Sequence, residues 1–222
     1  MPFSALRKSI PTIPLVLLLI CIPIMNWGLG DGSFVLIEVG LETVPIAHIE
    51  ILTNLTAIAV MALIVPTMPS VDIWRTRAKK LALARYVCAL FIVLIIATSA
   101  AIIFQVIFLK GATGAIYVEV PESGLIVNNS TLIAAVTAII IPFIGRLRGI
   151  PFVILLWVAG MTPLYVDHTI HLWPLDYFKQ PGPWFSWPHI ITTSLAVVVA
   201  GVIQYRTAGL SRSAVDFERV HG

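Results

Sequence analysis

The side chains best suited to metal or acid–base chemistry are Asp167, His168 and His171, in the stretch "VDHTIHLW". His168 and His171 are three apart and would share one face of a helical turn, so with Asp167 they offer two imidazoles and a carboxylate together. A trio of this kind beside aromatic residues is more often a polar rim where a chain leaves the membrane, and we expect no metal there. The two cysteines, Cys21 and Cys88, both lie within apolar runs and far apart, and read as small core residues. The chain contains no CxxC, HExxH, GxxxxGK[ST] or GxSxG pattern. Catalytic residues and a resident cofactor are therefore not expected.

Polar side chains within apolar stretches are the second kind of candidate. Asn54 and Gln105 are the ones we would place on a substrate path. Asn26, Thr53, Thr56, Thr98, Ser99, Thr137, Thr192, Thr193 and Ser194 read as hydrogen-bonding groups between neighbouring helices. No Asp, Glu, Lys or Arg falls in the middle of an apolar stretch, where ion-coupled carriers and voltage sensors place them. The expectation is that the energy for any transport comes from another chain.

The elements that must position these groups are membrane helices. Hydrophobic residues are 59% of the 222-residue chain and charged residues 11%, against about 45–50% and about 25% for a soluble domain. The net charge of +3 comes with no basic face alternating with stacking aromatics, so nucleic acid is not an expected partner. Six stretches are long and apolar enough to span a bilayer core of about 30 Å. They cover residues 10–28, 50–68, 83–109, 130–145, 150–166 and 188–205, with only "RLRG" between the fourth and fifth, which predicts a tight helical hairpin. The basic, apolar N-terminus has no small-x-small cleavage site after it and is expected to remain as the first span. The fold class is thus an all-α membrane protein of one six-span domain, residues 1–222.

Charge fixes the orientation. With both termini in the cytoplasm, the inner segments hold Arg7, Lys8, Arg75, Arg77, Lys79, Lys80, Arg85, Arg146, Arg148, Arg206, Arg212 and Arg219, twelve of the fourteen cations, leaving Lys110 and Lys179 outside. Eight of the eleven acids fall on the outer side: Asp31, Glu38, Glu42, Glu50, Glu119, Glu122, Asp167 and Asp176. This is the positive-inside pattern, and it implies a multi-pass protein of the cell membrane.

"PSVDIWRTRAKKLALAR", residues 69–85, carries five of those inner cations. Ser70 can cap a helix with Asp72 in its first turn. From there the chain reads as helix to Leu109, too long for the hydrocarbon core alone, so its front part is expected to lie along the membrane surface as an amphipathic helix. The cations then either grip anionic lipid or dock a cytoplasmic protein.

On the outer face, "SFVLIEVGLETV" (33–44) and "GAIYVEVPES" (114–123) show strand-like alternation and can pair as a small sheet or remain loops. The segment 166–190 sets Trp173, Trp184 and Trp187 among prolines, which predicts an interfacial or re-entrant outer element. Asn128-Asn129-Ser130 matches a glycosylation sequon, relevant only to a secretory setting that nothing else in the sequence suggests.

Together these features resemble the transmembrane subunits of ABC-2-type exporters. "VDIWRTRAKKLALARYVCALFIVLI" is similar to the start of the third span in small permease proteins of actinobacterial antibiotic and lantibiotic ABC transporters. "VNNSTLIAAVTAIIIPFIGRLRGIPFVILLWV" is similar to their span four–five hairpin, and "LWPLD" and "VVVAGVIQYRTAG" to their C-terminal parts. Val127 stands where that pattern has an arginine before the paired asparagine, and the outer loops are longer. The resemblance implies a bacterial inner-membrane exporter subunit moving a peptide or amphipathic antibiotic-like molecule. ATP and Mg would be bound by a separate cytoplasmic ATPase, which Trp74, Arg75, Arg77, Lys79 and Lys80 would contact. A second copy or a similar permease subunit would complete the membrane part. The alternatives are a non-transport scaffold or immunity subunit, and a lipid-active membrane enzyme using Asp167, His168 and His171.

Overall fold

The computed structural model describes residues 33–39, 42–64, 78–111, 123–161 and 187–209. Two strands, β1 (Ser33–Val39) and β2 (Glu42–Ala47), precede five helices. These are α1 (His48–Ile64), α2 (Ala78–Gly111), α3 (Ser123–Ile144), α4 (Arg146–Met161) and α5 (Trp187–Thr207). The strand-like stretch 33–44 pairs with its own continuation: β1 and β2 are antiparallel, from Ser33 opposite Ala47 to Val39 opposite Glu42, with an irregularity between Val35 and Glu38. Residues 114–122, the other expected strand, lie outside the described residues. So do the first span (10–28), residues 65–77 and residues 162–186.

The helices alternate in direction. Two side-chain bonds tie α1 to α3 in increasing order, Glu50 with Asn129 and Asn54 with Ser130, so these helices are parallel. Tyr86 and Leu83 of α2 meet Val197 and Gly201 of α5 in decreasing order. Gly149 of α4 returns against Ile140 and Ile141 of α3. Hence α1, α3 and α5 run one way and α2 and α4 the other.

This alternation collects charge. Lys79, Lys80 and Arg85 at the start of α2, Arg146 and Arg148 at the start of α4, and Arg206 at the end of α5 share one end of the bundle. Glu50, at the start of α1, lies at the other. Lys110, at the end of α2, also lies there.

α3 is the centre of the bundle. Over their most apolar windows α3 is 56% buried and α5 only 17%, so α3 is surrounded by protein and α5 is peripheral. Its contact face is small: Ala134, Ala135 and Ala138 pack with Ala57, Ala89 and Ala200, and larger side chains such as Met61, Tyr86 and Val93 fill the remainder. Small residues let helices approach closely where no hydrophobic driving force separates lipid from protein. Outward faces are apolar: Phe91, Ile95 and Ile102 on α2, Leu155 on α4, and Ile191, Leu195 and Val198 on α5 are all more than half exposed. Three helical stretches, Ala78–Ile103, Gly124–Ile144 and His189–Thr207, are long and apolar enough to cross a membrane, and Glu50–Ile64 is a shorter apolar one. Peripheral Ile, Leu and Phe at helical spacing are what a bilayer solvent selects, and the chain is a membrane protein.

Helix boundaries depart from the sequence reading at the polar residues. α3 begins at Ser123, not near Ser130, because Asn129 and Ser130 find partners within the bundle and need not leave the helix. The α3–α4 hairpin is tighter than expected: Gly145 alone forms the turn, at φ 80°, and "RLRG" is the first turn of α4. A left-handed residue after a helix end is a position suited to glycine. Gly149 makes a close approach of a different kind, since a Cβ there would sit 3.1 Å from Ile141 Cγ1 and the Ile141 side chain would have to give way.

α5 ends in a two-residue left-handed stop, Ala208 at φ 53° and Gly209 at φ 73°, with the Gly209 N–H donating to Gln204 O at 3.1 Å. This is the Schellman pattern.

A buried polar seam as candidate functional site

Glu50 and Asn54 are four apart on α1 and share a face. They meet Asn129 and Ser130 of α3. Asn129 Nδ2 donates to Glu50 Oε1 at 3.0 Å, and Ser130 Oγ donates to Asn54 Oδ1 at 3.1 Å. Each of these side chains is at most 2% exposed. Glu50 lies in the first turn of α1, where the helix dipole favours negative charge. Burying a carboxyl in an apolar bundle is costly unless hydrogen bonds replace water, and the Asn129 amide does part of that.

This corrects the sequence reading in one respect. Glu50, counted among the outer acids, and Arg85, counted at the inner end of the third span, are buried within the bundle at 1% and 8% exposure. Both stand near helix ends, Glu50 in the first turn of α1 and Arg85 two turns into α2, so neither is a mid-span charge.

Of the two substrate-path candidates, Asn54 is in the seam, and Gln105 lies on α2. The hydroxyls behave differently from expectation. Thr53, Thr56 and Thr137 donate to the carbonyls of Glu50, Leu52 and Ile133 in their own helices. Such back-bonding satisfies a Thr locally and does not join helices.

Two interhelical bonds instead come from side chains that sequence reasoning passed over. Pro142 lies inside α3 and has no N–H for the carbonyl of Ala138, one turn earlier. Gln204 Nε2 of α5 donates to that carbonyl at 2.7 Å. Tyr86 donates its hydroxyl proton to Val197 O at 3.0 Å, tying α2 to α5. A signal for half of the seam was available in Asn54, a polar residue within an apolar helix. For Gln204 there was none, because its partner is a backbone group exposed by a proline far away in sequence.

Lys79 and Lys80 are exposed at the head of α2, and Trp187, 73% exposed, stands at the start of α5. Trp74, Arg75, Arg77, Trp173, Trp184, Asp167, His168 and His171 lie outside the described residues. Among the described residues no group of three His, Cys, Asp or Glu side chains could hold a metal ion. The Asn128–Ser130 sequon is within α3, with Asn129 and Ser130 buried, which is not the surface loop that glycosylation uses.

The chain matches no protein-family model, and no curated protein or solved structure is significantly similar to it.

Proposed function

We propose that this chain is the transmembrane subunit of an ATP-driven ABC-type exporter, with six spans, both termini cytoplasmic, and a separate ATPase chain as its motor. The cargo in this reading is a peptide or amphipathic antibiotic-like molecule, and the membrane is the bacterial inner membrane. One observation carries the proposal most of the way. α2 is a continuous helix of 34 residues, about 51 Å at 1.5 Å per residue, well beyond a hydrocarbon core of about 30 Å. Its head carries exposed Lys79 and Lys80 at the cation-rich end, and its apolar body packs on α3 and α5. A rigid rod from a basic surface into a packed core is the kind of element that passes a partner's motion to the spans. The basic stretch at residues 75–80 leads directly into that rod.

The chain holds no GxxxxGK[ST] loop, so in this reading the nucleotide and Mg belong to the partner. Affinity purification of the full chain from native membranes in mild detergent, with partners identified by mass, tests it. The expected result is an ATPase that co-purifies with the wild type and is lost from an Arg75→Glu, Arg77→Glu, Lys79→Glu, Lys80→Glu variant that still inserts. Recovery of the chain without any ATPase would favour the scaffold reading and defeat this one.

A further inference from the structure

The tip of the α3–α4 hairpin is an apolar surface set with arginines. Leu147 is 91% exposed, the highest value among the described large apolar side chains, and it stands between Arg146 and Arg148. Phe143 and Ile144, in the last turn of α3, and Phe152, one turn from Arg148 on α4, are exposed as well. Among the described residues the acids are Glu38, Glu42 and Glu50, in β1, in β2 and in the first turn of α1. All three belong to the far end of the bundle, and none of them neutralises the two arginines.

Two observations say what covers this tip. The first is its face. On α4, Gly149, Val153 and Trp157 are one turn apart, buried, and turned to the bundle. Leu147, Pro151 and Leu155 are likewise one turn apart and all exposed, as are Arg148, Phe152 and Leu156. The tip is therefore the inner end of the lipid-facing surface of α4, and Arg148 stands within that surface, not on a separate polar face. The second is depth. Gly124–Ile144 of α3 is 21 residues, about 32 Å at 1.5 Å per residue, which matches a hydrocarbon core of about 30 Å. Gly145 and the residues just after it then fall at the headgroup boundary. Apolar side chains exposed at that depth enter the acyl region, while neighbouring cations reach for phosphate.

We propose that the α3–α4 tip binds an anionic phospholipid of the leaflet that the basic end of the bundle meets. Arg146 and Arg148 pair with its phosphate, and Phe143, Ile144, Leu147 and Phe152 receive the upper part of its acyl chains. Gly145 and the close approach of Gly149 to Ile141 fix the tip to α3, so the lipid is held by the bundle's central helix. The proposal rests on the basic end reaching a bilayer surface and not on the exporter reading, and failure to recover an ATPase would leave it standing.

The test uses the full chain with Cys21→Ala, Cys88→Ala and Ile144→Cys, carrying a fluorophore at residue 144. The nanodiscs mix phosphatidylcholine and phosphatidylglycerol at physiological salt, where cations more than about 8 Å away are screened. Quenching by brominated phosphatidylglycerol, against brominated phosphatidylcholine, gives the relative affinity of the two lipids at the tip. One cation near a membrane surface contributes about fivefold. Phosphatidylglycerol should therefore be preferred by about twentyfold, falling to about fivefold in Arg148→Gln and to near parity when Arg146→Gln is added. Arg148 is exposed, so the single variant carries the test if the double one does not fold. Equal quenching by the two lipids in the unsubstituted tip would overturn the proposal, as would a preference unchanged in Arg148→Gln. A label quenched by aqueous iodide and by neither lipid would also overturn it, and would give the tip to a soluble partner.

Discussion

At the scale of single residues, the seam between α1 and α3 contains two bonds of unequal worth. Asn129 donates to a buried carboxyl, and leaving such an acceptor without its donor costs about 1–3 kcal/mol. Ser130 donates to a neutral amide, and neutral pairs inside membrane bundles average about 0.6 kcal/mol. Asn129→Leu is therefore expected to lower stability by about 2 kcal/mol, because it leaves the Glu50 carboxyl with a lost donor, whereas Ser130→Ala costs about 0.6 kcal/mol. Reversible unfolding in mixed micelles separates the two, and equal costs would show that Glu50 does not depend on Asn129. The seam was only half legible in the sequence. Asn54 is a polar residue in an apolar helix and stands out at once. Glu50 does not, because at the edge of a hydropathy window a carboxylate looks like a loop residue, and only the direction of its side chain decides otherwise.

Between helices, the most specific device is the pairing of Pro142 with Gln204. Gln204→Leu leaves the Ala138 carbonyl with neither its own helix N–H nor a substitute, at a cost of about 1–2 kcal/mol. Pro142→Ala restores an N–H at that turn, so in the double variant the effect of Gln204→Leu should largely vanish. A double-mutant cycle without such coupling would contradict the account. Two glycines make a contrasting pair. Gly149→Ala pushes a methyl to 3.1 Å from fully buried Ile141, and overpacking of this kind costs about 1–3 kcal/mol. Gly201→Ala meets Tyr86 and Leu83 at no less than 3.6 Å, ordinary contact, and should stabilise α5 by about 0.5–1 kcal/mol. The existence of α1 to α5 was legible because apolar runs of this length have few alternatives in a membrane. Their ends were not: α3 extends through Asn128–Ser130 and α4 takes in Arg146 and Arg148, since a helix stops where its backbone does, not where hydropathy falls.

On the scale of the whole molecule, the antiparallel alternation of five described helices brings Lys79, Lys80, Arg85, Arg146, Arg148 and Arg206 to one end. Sequence charge counting and helix direction reach this segregation by separate routes, one from loops and the other from side-chain contacts. The central claim is that this end faces the cytoplasm, where a motor can reach the head of α2. Labelling with a membrane-impermeant thiol reagent tests it most directly, in intact cells and in a background with Cys21→Ala and Cys88→Ala. Cysteine in place of exposed Lys80 should react only after the membrane is permeabilised, while cysteine in place of Trp187, at the opposite end, should react from outside. Reaction of the Lys80→Cys variant in sealed cells would place the basic head of α2 on the wrong side of the membrane and contradict the account.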